Sequence, residues 1–232
     1  MKLCALIPAF NEQARIAATV GALLEVCQQV LVVDDGSADD TAILAQSAGA
    51  QVISLPVNRG KGAAIRAGLP HLTGDVVLLV DGDLGRAAAR LVPLADAVKS
   101  DIADLTIARF DRTGAGGGLG IVRGLARWAV QTQLGIPITE PLSGQRAVRR
   151  ELLASLPLAE GFGVEVGMIF DAIKCGGRVL EVDLGRPPDG IVTGKTLAGY
   201  YHRLRQLLDV LVALRDRWQW FGRRKGGKKR FV

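Results

Sequence analysis

The chain has 232 residues, 49% of them apolar, with a formal net charge of +6. That apolar fraction excludes wholesale disorder, the length suits one well-buried domain with a short appendage, and no run approaches the roughly 18 apolar residues of a membrane span. Three scattered cysteines (Cys4, Cys27, Cys175) imply neither a disulfide framework nor a zinc site, and Pro8, Asn11 and Glu12 interrupt the start too soon for a secretory signal, so a reducing, cytoplasmic setting is expected.

Strand and helix signals alternate along the first hundred residues. Residues 2–7 read as strand, 12–27 as helix, and 30–33 as strand. A helix over 38–48 follows, with Ser37 as its N-cap and Asp39 and Asp40 facing the positive end of its dipole. Strand at 51–55, helix at 62–71 and strand at 75–80 complete four strands joined by three helices, the pattern of a parallel sheet with right-handed crossovers. Beyond Asp83 the spacing predicts a helix over 87–99, a strand at 104–108 and a glycine-dense loop at 114–120. Helices over 122–134, 147–155 and 164–174 and a strand at 178–182 come next. From 197 to 221, Leu197, Tyr200, Leu204, Leu207, Leu211, Leu214, Trp218 and Phe221 recur every three or four residues, as on an amphipathic helix. Six basic residues then crowd into 223–230. The expected organisation is a catalytic-type α/β domain over 1–196, an amphipathic helix over 197–221 and a basic tail over 222–232.

Four short motifs fall where these first strands end. PAFNE (8–12) follows the first strand, VDDGS (33–37) the second, NRGKG (58–62) the third, and Asp81-Gly82-Asp83 the fourth. Each has an ordinary reading as a helix start, a capped turn or a solvated cation. Together they bring acids and a lone Lys61 beside glycines to one rim, at the carboxyl edge where open α/β sheets bind ligands. Asp81 and Asp83, one residue apart, repel each other unless a cation joins them, and hard cations such as Mg²⁺ or Mn²⁺ favour carboxylate and phosphate oxygens.

In order and spacing, IPAFNE, VVDDGS, NRGKGAAIRAG and LLVDGDL, followed by ADLTIAR (103–109) and EPLSGQRAVRREL (140–152), resemble family 2 glycosyltransferases of the GT-A fold. Within that family they are most similar to the branch typified by dolichol-phosphate mannosyltransferase, and the resemblance runs from residue 2 to about 195. It implies a single Rossmann-like domain with a mostly parallel central sheet flanked by helices. The implied activity is metal-dependent, inverting transfer of glucose or mannose from a UDP- or GDP-sugar. Carried over by position, Pro8, Ala9, Phe10 and Glu12 hold the base and ribose, and Asp35, with Val33 before it, meets the base ring. Asp81, Gly82 and Asp83 reach the ribose and, through the metal, the diphosphate. Lys61, Arg109 and Arg146 are basic positions near the nucleotide sugar or acceptor, and Arg186 and Lys195 more loosely resemble a late basic loop over the diphosphate.

A metal at Asp83 would stabilise the charge growing on the departing diphosphate. An acceptor phosphate, with a second pKa of about 6, needs no base, whereas an acceptor hydroxyl needs a carboxylate to take its proton. Glu140, where the family usually has Asp, is the first candidate and Glu165 the second; each is equally readable as a salt-bridged structural acid. Departures are Gly85, where the family often has Gln, and the absence of the Gln-x-x-Arg-Trp set of processive synthases. The acceptor is expected to be a polyprenyl phosphate at the cytoplasmic membrane face, with the 197–221 helix and basic tail as a peripheral membrane contact. The alternatives are a soluble metabolite acceptor, with that helix packed on the domain's own core, and more distantly a non-catalytic membrane or nucleic-acid module. A nucleic-acid partner is not expected, because it leaves the acids unexplained.

Overall fold

Runs of Val, Leu and Ile long enough to bury both faces of a strand build the centre of the protein, whose computed structural model describes residues 1–111, 120–158, 163–186 and 212. The strands β1 (Leu3–Ala9), β2 (Gln29–Asp34), β3 (Gln51–Ser54), β4 (Val76–Leu79), β5 (Leu105–Arg109), β6 (Arg146–Arg149) and β7 (Val179–Asp183) form one sheet in the order β3-β2-β1-β4-β6-β5-β7. All pairings are parallel except those of β6, which runs antiparallel to β4 and to β5. The start of β6 therefore lies at the same edge as the ends of the other strands.

Alternate strand residues enter two separate cores, as the period of two requires. Leu3, Ala5 and Ile7 of β1 pack with Ile16, Val20 and Leu23 of α1 (Ile16–Leu24) and with Leu94 and Val98 of α4 (Val92–Lys99). On the opposite face, Cys4 and Leu6 pack with Ala64 and Ile65 of α3 (Lys61–Gly68) and Val164 and Met168 of α7 (Gly163–Lys174). A third cluster joins Ile107 of β5 to α5 (Gly120–Leu134) and α7. The short helices α2 (Thr41–Ser47) and α6 (Arg150–Ser155) complete the described α-helices. Most of the expected 114–120 loop and all but Val212 of the 197–221 helix lie outside the described residues, as does the basic tail.

Three expectations about elements are corrected. Residues 147–155 are not one helix: Arg146–Arg149 is strand β6, and only Arg150–Ser155 is helical. Ala147 and Val148 are wholly buried between two strands whose ladders β6 completes, and that pairing overrides their helical spacing. The helix expected over 87–99 divides into a 3₁₀ segment, Gly85–Leu91, and α4, because Pro93 fits only the first turn of a helix. Ser37 is not the cap of α2, which starts after Asp40; the Ser37 hydroxyl instead accepts the Asn11 N–H at 2.9 Å.

At the edge opposite the acids, Asp104 joins the strands that follow β4. Its carboxylate accepts from Arg149 Nε at 2.8 Å and from the Arg178 backbone N–H and Nε, both at 2.9 Å. Hydrogen bonding from Arg178 outweighs burial and holds this carboxyl well below the usual range. A depressed carboxylate contributes its stability above the unfolded pKa of about 4 and loses it as pH falls through the folded value. Asp104→Asn is therefore expected to cost about 1–3 kcal/mol at pH 7. In urea titrations the gap to wild type should close at strongly acidic pH; a gap unchanged from pH 7 to pH 2 contradicts this reading.

Candidate active site

The ends of β1, β2 and β3 are stitched together before any ligand is considered. Asn11, at a positive φ of 56°, turns the chain after β1 so that its Oδ1 accepts the Ala38 N–H at 2.9 Å. Glu12 donates its N–H to Thr41 Oγ1 at 2.8 Å. Asp35, after β2, accepts the N–H groups of Arg59 and Gly60 at 2.9 and 2.7 Å, tying down the loop that opens α3. Gly36 has a φ of 75°, and a Cβ there would stand 2.8 Å from the Val57 carbonyl carbon, so the second and third loops touch backbone to backbone. Phe10 is 44% exposed on this frame, Pro8 is half-buried and Ala9 is buried. Val33, a residue expected at the nucleotide, is instead wholly buried in the core under α3 and offers no side-chain surface.

Asp81, just past β4, is held on both oxygens. Lys61 Nζ lies 2.6 Å from Oδ1, and Gln145 Nε2 donates to Oδ2 at 2.8 Å. The same ammonium reaches Glu165 Oε1 at 3.0 Å. Burial works against both charges in the pair, yet Lys61 and its hydrogen bonds keep the Asp81 pKa below its ordinary value. Likewise Asp81 and Glu165 raise that of Lys61 against the opposing effect of burial. A Cβ at Gly144 would press on Asp81 Oδ2 and Lys61 Nζ, so a larger residue there would displace the ends of this pair. Arg146, 1% exposed, donates Nε to Ser143 O at 2.9 Å, Nη1 to Glu165 O at 2.7 Å and Nη2 to Pro141 O at 2.9 Å. Lys61 and Arg146 thus stand behind the rim, their two positive charges matched by Asp81 and Glu165.

Asp83 lies one step further out. Thr19 of α1 donates to Gly82 O at 2.8 Å and accepts the Gly85 N–H at 2.8 Å, while Arg15 Nη1 donates to Asp83 O at 3.1 Å. These bonds fix the turn backbone. Burial, and then the charge of Asp81, raise the Asp83 pKa. Burial together with Asp83 and Asp81 pushes Glu12 up to about 7. The rim therefore concentrates negative charge that the local cations do not cancel, which suits a divalent ion. Among the described residues no three His, Cys, Asp or Glu side chains form a self-sufficient metal cage. An ion of the Mg²⁺ kind takes one or two carboxylates and completes its shell with phosphate and water.

The remaining candidates spread along the β6–β5–β7 half. Glu140 pairs with Arg123 Nη1 of α5 at 3.3 Å, its side chain 18% exposed. Arg109 and Asp183, at the paired ends of β5 and β7, form an ion pair. Arg186 is exposed, with its carbonyl accepting from Arg90 Nη2 at 2.9 Å, and Lys195 lies outside the described residues. Sequence reasoning missed Gln145, Arg15 and Thr19. A polar Thr in the otherwise apolar run of α1, four residues after Arg15, was the available signal. Gln145 had none until β6 was recognised as a strand entering the rim.

A family model described as glycosyl transferase family 2 matches residues 4–155. Glucosyl-3-phosphoglycerate synthase of Mycobacterium tuberculosis (strain ATCC 25618 / H37Rv) is 33% identical over 208 residues, which is 77% of this chain and 64% of that protein. The chain thus spans just under two thirds of that relative's length. A crystal structure of the M. tuberculosis synthase with Mn²⁺, UDP-glucose and phosphoglyceric acid superimposes with a TM-score of 0.77 at 30% identity, covering 93% of this chain and 79% of that one. An undecaprenyl-phosphate 4-deoxy-4-formamido-L-arabinose transferase from Sodalis glossinidius is 32% identical over 112 residues, 43% of this chain and 34% of that protein. The matched segment contains all four rim motifs and β6, and by it the chain belongs to glycosyl transferase family 2.

Proposed function

We propose that this chain transfers glucose from UDP-glucose, with Mn²⁺ or Mg²⁺, to a small phosphorylated hydroxy acid of the 3-phosphoglycerate kind. The observation that carries the reading is the likeness to the mycobacterial synthase, which extends over 77% of the chain and so beyond the four rim motifs. Asp83 would hold the metal ion, since Lys61 and Gln145 already occupy both oxygens of Asp81. The ion supplies charge neutralisation of the diphosphate as UDP departs. Phe10 and Pro8 offer apolar surface for the base, beside the loop that Asp35 ties down. Glu140 would take the proton of an acceptor hydroxyl: its pair with Arg123 is longer, at 3.3 Å, and its side chain more open, at 18%, than those of Glu165, which is 3.0 Å from Lys61 and 8% exposed. Arg109 and Arg186 would supply positive charge toward an anionic acceptor or the leaving diphosphate.

The polyprenyl-phosphate acceptor is a second reading, favoured only by the shorter match to the undecaprenyl-phosphate transferase. Purified chain incubated with labelled UDP-glucose, Mn²⁺ and either 3-phosphoglycerate or detergent-dispersed undecaprenyl phosphate separates the two. Label is expected in a water-soluble acidic product. Label recovered only in the organic phase overturns the soluble-acceptor reading, and no transfer to either acceptor overturns both.

A further inference from the structure

The loop between α5 and β6 carries Glu140 at one end and Gly144, packed on the Asp81–Lys61 pair, at the other. It has no regular secondary structure to hold it. Arg146 holds its second half at Pro141 O and Ser143 O, and a carboxylate from the outermost strand holds the donor groups at Thr139 and Glu140. Glu181 of β7 accepts the Thr139 N–H at 2.9 Å and the Glu140 N–H at 2.6 Å on Oε1, and the Thr139 hydroxyl at 2.7 Å on Oε2. From the opposite side, Arg127 of α5 donates Nη2 to Thr139 O at 2.8 Å and Nε at 3.2 Å. The peptide that precedes Glu140 is therefore gripped on its donor side and on its acceptor side by two different elements.

The geometry points to Glu181 as a positioning residue for the acceptor half of the reaction, acting through the 139–144 loop and touching neither substrate. This rests on the proposed glycosyl transfer. The loops after β1 to β4 are tied to one another by their own bonds, and their link to this loop, Gln145 on Asp81, lies beyond the Arg146 bonds to Pro141 O and Ser143 O, which Glu181 does not share, so loosening Thr139 leaves the donor frame in place. The proton-accepting carboxylate of Glu140 is what moves. All three groups bonded to Glu181 are neutral donors, so a neutral amide can replace the carboxylate. In Glu181→Gln, Oε1 keeps both backbone N–H bonds and the amide NH₂ donates to the Thr139 hydroxyl. Glu181→Ala loses all three.

The test compares wild type, Glu181→Gln and Glu181→Ala. Transfer kinetics are measured against acceptor and against UDP-glucose, and amide hydrogen exchange of the peptide spanning 136–146 is followed by mass spectrometry. In Glu181→Ala, kcat/KM for acceptor is expected to fall about 10- to 100-fold with the KM for UDP-glucose unchanged, the loss typical of a displaced reacting group. Exchange at Thr139 and Glu140 should accelerate, and Glu181→Gln should restore both readouts to near wild type. Equal losses against donor and acceptor, or Thr139 and Glu140 amides as protected in Glu181→Ala as in wild type, overturn the assignment. If wild type transfers to no acceptor, the functional reading fails, while the exchange measurement still decides whether Glu181 holds the loop.

Discussion

Asp83→Ala is expected to lower glucosyl transfer by a factor on the order of 10³ or more, while leaving the fold intact. Only the carboxylate is removed. The turn is held through main-chain atoms, by Thr19 at Gly82 O and the Gly85 N–H and by Arg15 at Asp83 O, none of which the substitution touches. Losing one preorganised group that faces developing charge commonly costs 10²- to 10³-fold, and here the cation's anchor goes with it. Asp83 also bears a raised pKa from burial and the neighbouring charge of Asp81, so the variant relieves repulsion in the unliganded protein. Its melting temperature without ligand should equal or exceed that of wild type. The rise in melting temperature that UDP with Mn²⁺ gives the wild type should shrink or vanish, because ligand stabilisation follows affinity by mass action. Undiminished transfer with an unchanged Mn²⁺-dependent shift would remove Asp83 from the metal site.

Lys61→Met is the largest expected loss of stability. Its ammonium is the shared counter-charge of Asp81 and Glu165, at 2.6 and 3.0 Å. Removing it leaves two carboxylates facing each other behind the rim. Breaking a buried pair from one side typically costs about 3–5 kcal/mol. The Asp81 side chain keeps 37% of its surface exposed, so water screens its share and the low end, about 3 kcal/mol, is expected. Urea denaturation at neutral pH measures this directly. Glu165→Leu in the Lys61→Met background should recover part of the loss, since the second uncompensated charge is then gone. A Lys61→Met variant as stable as wild type would show that Asp81 and Glu165 find other partners. Activity should fall as well, because Asp81 is then free to turn away from Gln145 and disturb the neighbouring Asp83.

Much of the donor side was legible in the residues themselves. Parallel strands buried on both faces require long apolar runs, and a turn that returns to a helix requires Pro, Gly, Asn and Asp at defined places. IPAFNE, VVDDGS, NRGKG and LLVDGDL announce both at once, so the strand ends and the acids on them follow from local chemistry. Cys4, inside the apolar run of the first strand, is wholly buried. Less legible were residues whose role depends on a partner far along the chain. Lys61 looked like a cation for phosphate, yet it is consumed by Asp81 and Glu165, 20 and 104 positions away. Arg146 looked like another and is buried on three carbonyl groups.

The chain's own pattern determined the doubly covered sheet, the four acidic and basic turns at its carboxyl edge and the family to which they belong, because each depends on residues within a few positions of one another. Tertiary structure alone decided the direction of β6. RAVR has no intrinsic reason to run against its neighbours; it pairs antiparallel with both β4 and β5 because the chain enters between them from the ligand edge. That reversal brings Gly144 and Gln145 against Asp81 and leads the chain there from Glu140, whose N–H Glu181 accepts. Contacts closed across a hundred residues are set by how layers pack, and no local spacing records them.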